Sequence, residues 1–549
     1  MTLVDGRAAG IYWQSRMGNN PDGIGGNCHC YDVVTGIGGG APAHRRFLVD
    51  FGIKLGGSRS GYSCEFPSPD GLLAGHQTGR VDGGGQAPDG VLLTHAHEDH
   101  LGAIHHAIDM GFQIPPVYAS PFTATSLVNS LVNAGIDRGR WPSISMVKAG
   151  ETVSIANAQV EFVPMDHMPG ATAFRIRTSE ATVFHTGDYK FDSTLTLGDR
   201  ANPRRLRQIG KEGVDVVVSD STSAGMPGEP VSEEQIRRAL TRVVADNRGR
   251  AVVAAILGTQ LDRLASLAEA ARANGRSVVV SGRSLVDNVH ALASTAVDIE
   301  AITGARLLTT AEARTMPADR VLVVTTGAFA QPQAGLMRAA QHLPGALCVD
   351  GDTTVIIPQR AIPNIEHAHA RMVADLEARG AWVITAERAA DMGYGPIHQS
   401  GHAIERDSRL LYTLVSPKHV IVPVHGNAEQ VEANARIADS LGIATLPFDR
   451  NGAVVRVTHD GVDVIGYEDV KRIGARQIEG EVKALPRSPR GQGRGSRPPP
   501  QAYCYDELDA QGRTVLVADV HPLDTPTRPA PQARAAAARA ANRRHAHAR

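Results

Sequence analysis

The chain has 549 residues, 42% of them hydrophobic and only 4% aromatic, with 57 glycines and a formal net charge of -1. That length divides into two or three domains, and that composition describes a compact, glycine-turned α/β protein rather than a disordered or fibrous one. Five cysteines make no disulfide framework and point to a reducing cytoplasm, and the opening MTLVDGRAAGIYWQSR reads as neither a secretory signal nor a membrane span. Arginine accumulates toward the carboxyl end, so near-neutrality does not exclude a nucleic-acid partner.

In chain order, CHCYDVV (Cys28–Val34) and the run from Phe47 to Gly56 read as β-hairpins, with Asp50 ending a buried strand. Cys28-His29-Cys30 is spaced like a metal clip, but no second pair lies nearby, so its cysteines read as small core residues on one strand face. Val91-Leu-Leu-Thr-His-Ala-His-Glu-Asp-His100 is then a buried strand that breaks into three histidines and an aspartate. Residues two apart share a strand face, so His95 and His97 point at one ion. A helix beginning near Asp99 turns Asp99 and His100 toward a second position about 3.5–4 Å away, the usual spacing of two-metal hydrolases. Imidazole nitrogen and carboxylate oxygen suit Zn²⁺, less often Mn²⁺ or Fe. Ala103–Met110 and Ser126–Ala134 read as helices around a short strand, Val117–Ala119.

Two later strands repeat the logic. Val160–His167 ends in a histidine that completes the first set, and Ala181–Asp188 ends in His185 and in Asp188, whose two oxygens suit a bridge between both ions. Val214–Thr222 is again a strand followed by a carboxylate; Asp220 either caps the next turn or joins the site. From Val231 the pattern becomes helix then strand, repeated: SEEQIRRALTRVVADN, AVVAAIL, LDRLASLAEAARANG, SVVVSG, ADRVLVVTTG. Such units make a parallel sheet flanked by helices. Val420-Ile-Val-Pro-Val-His425 is a last strand ending in histidine.

THAHEDH, the His167 strand, HTGDYKFD and SDST together resemble the metallo-β-lactamase fold, and the later motifs resemble the β-CASP nucleases, most closely the ribonuclease J family. LGTQLDR (Leu257–Arg263) is similar to that family's FASNIHR, GRS (Gly282–Ser284) stands as in the family, and TTGAFAQP (Thr325–Pro332) resembles its TGSQGEP. HQSGHA (His398–Ala403) matches H-x-S-G-H-A, and the segment ending in His425-Gly426 resembles PVHGE. The match runs, with gaps, from about residue 23 to about residue 466. It implies an α/β architecture: a metallo-β-lactamase αββα sandwich with an inserted β-CASP α/β domain and a short, partly disordered carboxyl-terminal extension. The expected division is 1–230 and 389–483 for the two parts of the metal domain, 231–388 for the insert, 484–502 for a Pro/Gly/Arg linker and 503–549 for the extension.

On this resemblance His95, His97 and His167 hold one ion, Asp99, His100 and His425 hold the other, and Asp188 bridges. Two divalent ions, Zn²⁺ first and Mn²⁺ second, activate water for attack on phosphorus. The catalytic set is Asp99 with His402, the general acid for the departing 3′-oxygen, and Asp220, which orients His402. Substrate phosphates are expected on His398, Ser400 and Gly401, and on Thr259, Arg263, Arg283 and Ser284, donors near strand ends of the insert. The implied activity is hydrolysis of single-stranded RNA, endonucleolytic and 5′-to-3′ exonucleolytic, in the cytoplasm and away from membranes. The family's carboxyl-terminal domain assists dimerisation, which allows a homodimer, but this tail barely resembles that domain and leaves the oligomeric state open. The alternatives are a β-CASP nuclease acting on DNA and an RNA-binding subunit with weak catalysis.

Three departures stand out. Asn427 replaces the Glu of PVHGE, Ala328-Phe-Ala-Gln331 replaces SQGE, and Leu257-Gly-Thr-Gln260 replaces FASN; they bear on His425 orientation and on 5′-end selectivity. Toward the end, Gly452–Gly466 reads as a hairpin on an Asp-Gly turn that closes the metal domain. Residues 484–501 are too poor in apolar side chains to fold, Tyr503–Val520 reads as a small hairpin, and ARAAAARAANRRHAHAR reads as a basic helix whose His545 and His547 are not counted as ligands.

Overall fold

The computed structural model describes residues 7–19, 24–35, 43–55, 63–73, 87–293, 295–361, 365–448, 450–477, 503–508 and 514–518. The expected linker over 484–502 and the basic stretch with His545 and His547 lie outside the described residues.

Two sheets face each other. One has eight strands in the order 462–467, 453–457, 10–17, 28–35, 43–49, 91–93, 117–119, 144–146; the other has seven, 444–445, 420–424, 216–220, 182–185, 172–177, 158–164, 152–155. Trp13, Tyr31 and Phe47 from the first meet Phe162 and Phe174 from the second in a shared core, all fully buried. Each such side chain contributes about 1.5–3 kcal/mol by leaving water. Helices Ala103–Asp109 and Pro121–Asn133 cover the outer face of the first sheet, and helices Pro203–Glu212, Glu405–Val415 and Ala428–Asp439 pack with the core on the second. This is an αββα sandwich.

Strand direction decides where its chemistry lies. Strands 43–49, 91–93 and 117–119 are parallel, as are 182–185, 216–220 and 420–424. Their carboxyl ends therefore gather at one edge, and the register Asp220↔Val424 sets His425 immediately past Asp220.

The insert is a separate six-stranded sheet, order 307–308, 277–280, 321–326, 251–256, 353–357, 382–385, parallel throughout. Its first helix, Glu233–Asp246, starts on a capping box in which Ser232 and Gln235 exchange hydrogen bonds. Helix Leu261–Ala273, rich in alanine and leucine, is buried along nearly its whole length.

Strands Ala453–Val457 and Val462–Tyr467 pair antiparallel at the end of the eight-stranded sheet, as expected of the 452–466 hairpin. The extension is less separate than the sequence implies. Strands Tyr503–Leu508 and Thr514–Ala518 form the expected hairpin, but it continues a five-stranded sheet through Arg472–Gln477 to Cys64–Pro67 and Lys54–Leu55. No helix among the described residues is long and apolar enough to cross a membrane.

Candidate metal centre

At the gathered strand ends, His95, His97, His167 and Asp188 form one cluster, and Asp99, His100, Asp188 and His425 form another. Within each, the candidate ligand atoms lie within 4.8 Å of one another, and Asp188 belongs to both. The short strand Val91–Leu93 ends just before Thr94, and helix Glu98–Leu101 begins with His97 as its cap residue, so His95 and His97 precede the turn and Asp99 and His100 follow it.

In the first cluster Nδ1 of His97 lies 3.0 Å from Nε2 of His95 and 3.1 Å from Nε2 of His167. His167 Nδ1 donates to the Gly401 carbonyl at 2.6 Å, which leaves its Nε2 as a lone pair. Burial pushes His95 well below the ordinary imidazole range, His97 to about 4 and His167 to about 3. Neutral imidazole nitrogens thus converge beside a carboxylate, a donor set suited to a divalent metal ion. Both Asp188 oxygens are buried and accept no hydrogen bond from the described residues. A buried carboxylate without donors is costly unless cations satisfy it, so the residues fit divalent metal.

The second cluster differs electrostatically. His100 Nε2 lies 3.3 Å from Asp188 and 3.5 Å from Asp99, and His425 Nε2 lies 3.1 Å from Asp99. Burial would lower both histidines, but the surrounding carboxylates outweigh it, raising His100 well above its ordinary value and His425 to about 10. Four carboxylates, Asp50, Asp99, Asp188 and Asp220, around two imidazoles mark a place that collects positive charge.

Asp220 resolves the alternative left open by its position. One oxygen accepts from the Thr222 amide at 2.9 Å, a turn cap, and is also 3.2 Å from His425 Nδ1, while the other is 2.9 Å from His402 Nδ1. It caps and belongs to the site together. Burial opposes protonation of His402, but Asp220 and Asp188 outweigh it and raise its pKa.

The expected phosphate donors divide. Arg283 and Ser284 are exposed at the start of helix Arg283–Ala293. His398, Ser400 and His402 line a cavity of about 440 Å³ with Lys190 and Arg360. Ser400 Oγ accepts from the His402 amide at 3.0 Å and lies 2.8 Å from Ser223 Oγ, so it also holds its own turn. A Cβ on Gly401 would stand 3.3 Å from the His167 ring, which leaves little room for any larger residue. Arg263 departs from its expected exposed setting: it is 3% exposed, and its guanidinium bonds Glu233 at 2.8 and 3.2 Å and the Ile397 carbonyl at 2.9 Å, so these donors are engaged inside the protein. Thr259 Oγ1 lies 2.9 Å from His97 Nε2.

Residues outside the expected ligand set support it. Asp50, in the left-handed region at φ 61°, accepts from Thr94 N and Oγ1 at 2.8 Å each and from His100 Nδ1 at 2.7 Å, which aims His100 Nε2 at the site. The end of a buried strand at FLVD was its only signal. His425 is also left-handed, at φ 56°, and Thr222 Oγ1 donates to its carbonyl at 2.9 Å; such strain in a non-glycine residue is characteristic of functional positions. His185 bonds Tyr31 at 2.9 Å, and Cys28 and Cys30 lie in one apolar cluster. Of the departures, Asn427 caps helix Ala428–Asp439, accepting from Gln430 N at 3.0 Å, and Ala328 and Ala330 pack into the insert's core.

The family model "Ribonuclease J, beta-CASP domain" matches residues 248–376, and "Beta-lactamase superfamily domain" matches residues 66–255. Ribonuclease J of Sinorhizobium meliloti is 32% identical over 432 residues, covering 78% of this chain and 72% of the relative. Ribonuclease J of Mycobacterium tuberculosis is 31% identical over 388 residues, covering 70% and 67%. A crystal structure of a protein of unknown function from Enterococcus faecalis V583 has the same fold, with a TM-score of 0.55 and 16% identity over 82% of this chain and all of that one. The two clustered strand-end sites, the inserted parallel sheet and the extent of these similarities lead to one conclusion: the chain belongs to the ribonuclease J family.

Proposed function

We propose that this chain is a metal-dependent ribonuclease of the ribonuclease J type, hydrolysing phosphodiester bonds of single-stranded RNA at the centre described above. The observation that carries the reading is one shared buried carboxylate, Asp188, between two donor clusters, with the His402–Asp220 pair beside them. Two divalent ions are proposed, Zn²⁺ ahead of Mn²⁺ on the donor types; when bound they activate water and neutralise charge on the scissile phosphate. His95, His97 and His167 would hold one, Asp99, His100 and His425 the other, with Asp188 available to both.

The remaining steps belong to the chain's own groups. Asp220 holds His402 through Nδ1, leaving Nε2 free to carry a proton to the departing 3′-oxygen. Burial disfavours the charged ring, but Asp220 and Asp188 outweigh it and shift His402 toward its protonated form. Arg283 and Ser284 meet the strand's phosphates from the insert, and His398, Ser400 and Gly401 from the metal domain. The reading divides the chain at 230/231 and 388/389, and includes a cytoplasmic setting and a homodimer.

The test is digestion of single-stranded RNA and DNA, end-labelled and carrying 5′-mono- or triphosphate, with Zn²⁺ or Mn²⁺, beside His100→Ala. Cleavage of RNA by the wild type alone supports the reading. Cleavage by both proteins, or preference for DNA, refutes it.

A further inference from the structure

We infer that Thr259, on the inserted domain, is a positioning residue for the metal centre: its hydroxyl accepts the Nε2 proton of His97 and so ties metal retention to the docking of the two domains. The inference rests on the proposed metal centre, in that it takes a cation to sit between His95, His97 and His167.

His97 Nδ1 is the atom that meets the other two imidazoles, at 3.0 and 3.1 Å. A neutral imidazole that ligates through Nδ1 carries its only proton on Nε2, and that proton needs an acceptor to fix the tautomer and the ring plane. Thr259 Oγ1, at 2.9 Å, is that acceptor. Among the described residues it is a group of the insert that hydrogen-bonds a candidate ligand directly. His167 and His100 find their acceptors, the Gly401 carbonyl and Asp50, within the metal domain; His97 reaches across.

The turn that carries Thr259 is built to hold it there. Gln260 N donates to the Leu257 carbonyl at 3.0 Å, and Leu261 N to the Thr259 carbonyl at 2.9 Å as helix Leu261–Ala273 begins. Asn288 Nδ2 donates to the Gly258 carbonyl at 3.0 Å, and Asn288 Oδ1 accepts from Ser126 Oγ of the metal domain at 3.4 Å. A Cβ on Gly258 would stand 2.6 Å from Ser284 Oγ and 3.2 Å from the Ser284 backbone carbon, so the turn is seated against the GRS segment with no slack. A continuous path therefore runs from the metal domain at Ser126, through Asn288 and the 257–260 turn, and back to the metal domain at His97.

The experiment uses the metal-loaded full chain and reads metal release to a colorimetric chelator, alongside metal content by mass spectrometry. Thr259→Val keeps the shape and removes the hydroxyl; it is expected to release metal about 10–100-fold more readily, the usual cost of losing such a partner. Thr259→Ser keeps the acceptor and is expected to retain metal like the wild type. Asn288→Ala touches no ligand and is expected to loosen metal to a lesser degree; it serves also if Thr259→Val does not fold. Equal retention by wild type, Thr259→Val and Asn288→Ala overturns the inference, and a raised KM for RNA with that result would return Thr259 to phosphate contact. Failure of the wild type itself to hold divalent metal is a different result: it sinks the proposed centre.

Discussion

Asp220 and His402 stand 2.9 Å apart, carboxylate oxygen to Nδ1, at the rim of the two donor clusters. The second Asp220 oxygen, 3.2 Å from Nδ1 of His425, gives one carboxylate two tasks, holding a proton donor and orienting a candidate ligand.

The first task sets a pH dependence. Burial lowers the His402 pKa, Asp220 and Asp188 raise it, and the net shift is upward. The protonated form, which is the acid, is complete below that pKa and is lost as pH rises through it. The kcat profile should therefore fall on its basic side, and Asp220→Asn should move that fall to lower pH. Matched pH–rate profiles of the two proteins check it; a basic limb that stays in place contradicts the pairing.

The two clusters should lose metal at different pH. His95, His97 and His167 are already neutral at pH 7, whereas His100 and His425, raised by Asp188 and their other carboxylates, must shed protons to ligate. Protons compete more strongly at the second position, so acidification should empty it first. Metal content after dialysis at stepwise lower pH should show one equivalent leaving before the other; simultaneous loss would count against the asymmetry.

Metal removal should also lower stability. A ligand present at about 100 times its Kd stabilises the folded state by about 2.7 kcal/mol. Thermal scans with and without a chelator should show a lower midpoint for the stripped protein, restored by adding Zn²⁺. An unchanged midpoint would mean that no cation is held.

Arg263 and Arg283 should behave oppositely. Arg263→Ala leaves Glu233 buried without its partner and should cost about 3–5 kcal/mol in denaturant unfolding. Arg283→Ala, at an exposed position, should leave the unfolding midpoint alone, weaken RNA binding and reduce the salt slope by about 0.7. Titrations at several salt concentrations separate the two; a weakened salt slope for Arg263→Ala with normal stability would reverse the assignment.

What could be read from the sequence follows from how locally each signal is written. Val91–His100 and Ala181–Asp188 place an apolar run and its polar ending in one short stretch, so strand and candidate ligand are legible together. The alternation of helix and strand from Glu233 to Thr385 likewise announces a parallel sheet. Arg263 looks like a phosphate donor because residue type reveals a guanidinium but not that Glu233 and Ile397 fold onto it. Thr259 and His97 are 162 residues apart, and Asp50 and His100 are 50 apart; such contacts are created by domain docking and strand order, which no local pattern encodes. The pairing of Arg472–Gln477 with Cys64–Pro67 is hidden for the same reason.

The most direct measurement is cleavage of single-stranded RNA by wild type and His402→Ala, each assayed with its metal content determined. The account predicts that both hold the same metal, that the wild type cleaves, and that His402→Ala is slower by about 100- to 10,000-fold at neutral pH, the range for a lost general acid. Wild-type protein that binds metal and leaves RNA intact, or a His402→Ala variant that cleaves at the wild-type rate, would contradict it.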